Sequence, residues 1–128
     1  MVRKPVKELK ENQFVLIENE PCRVEKVSIS VAGKHGAAKA RVEGIGIFDR
    51  RRRSLVLPAD EEVEVPVLEK KNAQVLAVSE RTAQLMDLTT FETFEVEIPE
   101  EKIGKLEPGS EITYYEILGR KTIEELKA

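Results

Sequence analysis

Residues 33–36 read Gly-Lys-His-Gly, one lysine between two glycines and beside the only histidine of this 128-residue chain. A lysine amine offers two chemistries, contact with a phosphate or presentation to a modifying enzyme. A histidine offers acid–base catalysis, but no serine or cysteine nucleophile lies near His35 in sequence. One His and one Cys, His35 and Cys22, cannot close a metal site, so no metal and no cofactor is expected. A phosphate-cradling P-loop needs a longer glycine spacing and a Ser or Thr directly after the lysine, opening a helix. Here His35 follows Lys34 and a strand-like pattern follows the loop, which excludes that reading. The acidic pairs Glu61-Glu62, Glu100-Glu101 and Glu124-Glu125 are neighbours in sequence. In a strand they face opposite ways, as solvated charge rather than a catalytic dyad.

The glycines on either side of Lys34 remove Cβ crowding and permit positive φ, so a partner's cleft could approach the backbone closely. The competing reading is an ordinary exposed lysine in a turn. The second cationic feature is the run Arg50-Arg51-Arg52-Arg53, with Lys39 and Arg41 preceding it. Four adjacent guanidiniums form either a solvated turn or a clamp for RNA phosphates, each presenting a planar fork of donors.

The elements that must carry these residues are β-strands. Phe14–Ile17 is a short apolar run, and a turn follows at residues 18–21. Residues 22–29 and 38–48 alternate apolar and polar, which predicts a long hairpin with its tip at residues 33–37. Gly44 and Gly46 inside the second strand predict a bulge or tight bend there. Residues 54–57 and 62–67 add further strands, together a compact β-barrel or sandwich. The polar stretch 68–72 marks a boundary between domains at 1–68 and 69–128. Beyond it, strands are expected at 73–79, 82–88, 93–98 and 112–118, with a two-residue turn at Glu80-Arg81. Residues 100–104 predict one helical turn with Pro99 at its first position, and 122–127 a short helix or a frayed end. The expected fold is all-β: two small barrels in tandem, the second OB-like.

Composition agrees with a soluble chain: 41% hydrophobic, 35% charged and only 5% aromatic. The net charge of −3 hides an asymmetry, because residues 1–58 hold 13 Lys and Arg against 7 Asp and Glu, and residues 59–128 hold 8 against 17. A basic half attracts nucleic-acid phosphates and an acidic half repels them. A lone cysteine excludes an internal disulfide and favours a reducing compartment. No apolar run reaches the ~20 residues that span a bilayer, so the expectation is a cytoplasmic protein with no membrane partner.

The loop Gly33-Lys34-His35-Gly36, followed by Ala38 and Lys39, resembles the hypusine loop of the archaeal and eukaryotic translation initiation factor 5A family, relatives of bacterial elongation factor P. Residues 40–48, 54–58, Met86-Asp87-Leu88 and Phe91-Glu92-Thr93-Phe94 are also family-like, so the resemblance spans nearly the whole chain. It implies an SH3-like first barrel, an OB-fold second barrel and no enzymatic activity. It implies that deoxyhypusine synthase transfers an aminobutyl group from spermidine to Lys34. The modified lysine would reach toward the peptidyl-tRNA acceptor end on the ribosome, beside rRNA, and promote peptide bond formation at sequences such as proline runs. Ala32 and Ala37 stand where eukaryotic members carry Thr and His, the short archaeal form. A free-standing RNA-binding or RNA-processing module, with Arg50, Arg51, Arg52 and Arg53 as its clamp, is the alternative.

Overall fold

The structure is a computed structural model that describes residues 2–31 and 38–126, so Gly33, Lys34, His35 and Gly36 lie outside the described residues. The chain divides into two compact units, residues 1–67 and 68–127. Both are built of antiparallel strands with two single 3-10 turns, an all-β architecture. Among the described residues no helix is long and apolar enough to cross a membrane.

In the first unit β1 (Val2–Pro5) leads through a 3-10 turn (Val6–Glu8) to β2 (Phe14–Ile17), β3 (Glu20–Val31), β4 (Ala38–Gly46), β5 (Arg52–Pro58) and β6 (Glu62–Val65). Strands β2-β3-β4-β5 form one sheet in chain order, and β1 pairs with β6. The β1–β6 ribbon was not legible in the sequence, because Val2–Pro5 is too short and too charged to show alternation. The β2–β3 turn is a two-residue connection with Glu18 and Asn19 both at positive φ, the geometry that matches the twist of a hairpin. Alternate residues of β2, β3 and β4 supply the core: Val15, Cys22, Val24 and Val42 are fully buried, and Val6 enters from the 3-10 turn.

The bulge expected at Gly44 or Gly46 sits instead on the opposite strand. Register shifts between Val24 and Lys26, leaving Glu25 as the extra residue against β4. Gly44, paired with Val24 beside the bulge, sits close to β3: a Cβ there would lie 3.0 Å from the Arg23 carbonyl oxygen and 3.2 Å from the Cys22 Cβ. A glycine in a strand therefore marked a close backbone approach rather than its own bulge.

The second unit holds β7 (Leu68–Val78), β8 (Thr82–Asp87), β9 (Thr93–Glu97), a 3-10 turn (Glu100–Lys102), β10 (Glu111–Ile117) and β11 (Arg120–Thr122). The sheet order is β11-β10-β7-β8-β9, and the edge strands β9 and β11 approach one another, curling the sheet into a barrel. The division between the units falls at 67/68, where the polar stretch 68–72 begins, and that stretch is itself a strand. It is the first half of β7, paired from Leu68↔Ile117 to Asn72↔Thr113. The strand expected from residue 73 thus begins at 68, and its polar start is held partly by charge: Lys71 lies between Glu69 (3.5 Å) and Glu116 (3.6 Å). The chain end departs from expectation too. Residues 120–122 form β11, and the described residues 123–126 are not helical. Ile123 and Leu126 are instead buried, while the Lys102 ammonium donates to the Ile123 carbonyl oxygen at 2.9 Å. Pro99 precedes the 3-10 turn as its cap rather than occupying its first position.

The β8–β9 connection is organised by Asp87, which is 5% exposed and is the buried charged side chain of the described residues. Its Oδ1 accepts the backbone N–H groups of Thr89 (2.7 Å) and Thr90 (2.8 Å), and its Oδ2 accepts the Tyr114 hydroxyl. These donors, the Tyr114 hydroxyl foremost, hold the Asp87 carboxyl down at about 2 despite its burial. Burial, and then the adjoining carboxylate, push the Tyr114 phenol well above its usual range.

Candidate nucleic-acid interface

The hairpin that brackets Lys34 is the longest feature of the first unit. Strands β3 and β4 stay paired to Ser30↔Lys39 and Val31↔Ala38, so the register of both loop ends is set. The core stops before the hairpin does. Ala40 is fully buried, yet Ile29 opposite it is 54% exposed and Val31 is 67% exposed on the same face. The strand pair thus carries its far end beyond the packed interior, and the six residues 32–37 join that end.

On the other face of β3-β4-β5 the side chains fall into cross-strand rows. Ser30, Lys39 and Pro58 form the row nearest the loop, then Ser28, Arg41 and Val56, then Lys26, Glu43 and Ser54, then Arg23, Ile45 and Arg52. Rows two residues apart along a strand are separated by about 7 Å. The stripe is cationic, with Lys39 and Lys26 exposed and making no ion pair among the described residues. Arg41 has only a loose contact with Glu43 at 3.7 Å, both side chains being well exposed. Such contacts cost little to exchange for phosphate. Lys39 and Arg41 are phosphate contacts that the sequence suggests, and Lys26 is an addition from the structure. Its place on this face depends on the Glu25 bulge, whose local signal is the change of parity from Cys22 and Val24 to Val27 and Ile29.

The arginine run does not stay together. Arg50 adopts positive φ (61°) at the β4–β5 turn, and its N–H donates to the Gly46 carbonyl at 3.1 Å. The Arg51 N–H donates to Asp49 Oδ1 at 3.0 Å. As consecutive residues of β5, Arg52 and Arg53 point to opposite faces. Arg52 is 77% exposed and bonds Glu25 at 3.1 Å. Arg53 turns inward, its side chain 13% exposed, and grips Asp49 with two donors at 3.1 and 2.7 Å. The guanidinium, followed by the Arg51 N–H, holds the Asp49 carboxyl down at about 2. Gly46 is required here, because a Cβ would stand 2.1 Å from Asp49 Oδ1. Arg53 is therefore a structural clasp, and a four-fork phosphate clamp is not what the turn presents. Beside it, burial pushes the Cys22 thiol up, so the sulfur stays protonated and unreactive.

Elsewhere the inventory is poor for chemistry. The described residues contain no group of three or more His, Cys, Asp or Glu placed to hold a metal ion. A shallow cavity of about 270 Å³ on the second unit is lined by Ala77, Ser79, Thr82, Gln84, Thr93, Phe94 and Glu95, none of them cationic.

Comparison with known proteins decides what this scaffold is. Residues 3–61 match the family model described as translation initiation factor 5A-like, N-terminal. The chain is 50% identical to translation initiation factor 5A of Archaeoglobus fulgidus over 121 residues, 94% of each chain. It is 45% identical to that of Pyrococcus horikoshii over 126 residues, covering 95% of this chain and 91% of the other. The chain belongs to the translation initiation factor 5A family. Among solved structures, the eukaryotic translation initiation factor 5A from Methanococcus jannaschii superimposes with a TM-score of 0.87 at 43% identity, covering 98% of this chain and 94% of that one. A family protein from Naegleria fowleri gives 0.74 at 26% identity, with 99% and 98% covered. Members of this family are translation factors, not enzymes, and the chain's place is in protein synthesis. With the charges counted by unit, the first holds 13 Lys and Arg against 11 Asp and Glu and the second 8 against 13. The contrast is milder than a division at Pro58 makes it, since residues 60–64 add four carboxylates to the basic unit.

Proposed function

We propose that this translation factor binds the ribosome and acts through Lys34 after conversion to deoxyhypusine or hypusine. In this reading deoxyhypusine synthase is the modifying partner, and the extended side chain reaches toward the acceptor end of peptidyl-tRNA beside rRNA. There it promotes peptide bond formation, above all at stalling sequences such as proline runs, in the cytoplasm. One observation carries the proposal: in a chain of this family, the paired residues Val31 and Ala38 bracket Gly33-Lys34-His35-Gly36 at the end of a hairpin that outruns its core. The modification would lengthen the lysine stem and add a second amine, giving a dication of longer reach and stronger attraction to phosphate. The stripe of Lys26, Lys39 and Arg41 would hold the nucleic-acid backbone while the loop end is positioned. The factor then works by orientation rather than by acid–base chemistry of its own. Peptide mapping of the protein from its native host is expected to show Lys34 carrying an aminobutyl mass increment. An unmodified Lys34 in ribosome-bound, active protein would overturn the proposal.

A further inference from the structure

Phe91 is 68% exposed and adopts φ +62°, a left-handed conformation that disfavours a bulky side chain. Glycine or asparagine would suit that backbone better and expose no apolar ring. The turn leaves Phe91 no choice of position. Its N–H donates to the Asp87 carbonyl at 2.9 Å, the Asp87 N–H donates to the Glu92 carbonyl at 2.8 Å, and Leu88 is tied to Asn72 at 3.1 Å. The buried Asp87 carboxylate then fixes Thr89 and Thr90 from inside. A rigid, internally anchored turn therefore holds an aromatic ring out in water against two local preferences. A single exposed apolar side chain is ordinary on a protein surface, but a ring held out against its backbone's own preference is already ordered for contact. Pre-ordered aromatic rings are the side chains that dominate interfaces.

The surroundings select the partner. Beside the ring stand the hydroxyls of Thr89 and Thr90 and the exposed carboxylate of Glu92, and the outward residues of β9 continue with Thr93, Glu95 and Glu97. Lys121 reaches Glu92 at 3.5 Å but is shared with Glu116 at 3.6 Å. The whole unit carries a net excess of five carboxylates over Lys and Arg. That field repels nucleic-acid phosphates and attracts a basic protein surface. We propose that Phe91 is a docking anchor that inserts into an apolar pocket rimmed by basic side chains on a protein component of the translation machinery. This rests on the ribosome-binding reading above.

The test uses the full chain and ribosomes from its native host. Sedimentation with ribosomes compares the wild-type protein with Phe91→Asn and Phe91→Tyr, and thermal melting of each variant checks the fold. Asn suits the left-handed backbone, so Phe91→Asn is expected to melt no lower than wild type while losing at least tenfold in ribosome affinity. Phe91→Tyr is expected to bind within about threefold of wild type. A photo-crosslinking p-benzoylphenylalanine at position 91 is expected to yield an adduct with a ribosomal protein. Wild-type affinity in Phe91→Asn, or adducts confined to rRNA or to a second copy of this chain, would overturn the inference and leave the ribosome-binding reading standing. Failure of the wild-type protein to sediment with ribosomes would remove that reading and the assignment of this partner with it.

Discussion

Each unit closes a hairpin on one aspartate, and the two aspartates are held by different physics. Asp49 follows β4 and Asp87 ends β8, and each accepts the backbone N–H two residues further on, from Arg51 and Thr89. Both carboxyls are held down at about 2. There the likeness ends. Asp49 owes most to a guanidinium, Arg53, at the edge of the solvent. Asp87 owes most to neutral donors inside the second core, the Tyr114 hydroxyl and two backbone N–H groups. One local turn motif can thus be completed by a salt-sensitive ion pair or by a buried hydrogen-bond network, and the difference decides how rigid the turn is.

The sharpest break of the comparison is Tyr114→Phe. It removes one hydroxyl and leaves a buried carboxylate oxygen without its partner, so a loss of about 2–3 kcal/mol is expected, read by urea unfolding. A loss below about 0.5 kcal/mol would mean that water replaces the phenol and that the Asp87 turn is no more internal than the Asp49 one. Next comes Gly46→Ala, whose methyl group has to displace the Asp49 carboxylate from Arg53. About 1–2 kcal/mol of destabilisation is expected, since overpacking is relieved only by opening the clasp. An unchanged melting temperature would show the clasp to be dispensable.

Acid titration at low and high salt separates the pair. Both carboxyls sit lower in the folded state than their usual 3.8, so the stability each contributes is complete above about pH 4 and is lost as pH falls toward 2. Raising salt to 1 M is expected to flatten the share belonging to Asp49 and leave that of Asp87, measured as the slope of stability against pH in wild type and in Arg53→Gln. Equal flattening in both proteins would contradict the assignment of the salt-sensitive share to the Asp49–Arg53 pair. The smallest effect belongs to Arg52→Ser. Its exposed pair with Glu25 is expected to change stability by at most about 0.5 kcal/mol, visible as no shift in the unfolding midpoint.

The sequence by itself determined the strands whose two faces differ in solvation. Residues 22–29 and 38–48 alternate because one face meets a core, and the structure places β3 and β4 there, while the apolar run 14–17 becomes β2. It also determined the family, through the order of residues around Lys34 together with family-like stretches along the rest of the chain. What it did not determine were features whose partners lie far along the chain. The polar strand 68–72 needs β10 and Glu116 to be seen as a strand, and the close approach at Gly44 needs Cys22 and Arg23 on the neighbouring strand. The arginine run looked like one cationic surface because sequence lists neighbours. Strand geometry sent Arg52 and Arg53 to opposite faces, and Asp49 with Gly46 captured the second of them. Only tertiary structure could decide that, since the outcome depends on which face of β5 meets the core and on a vacancy the size of one methyl group.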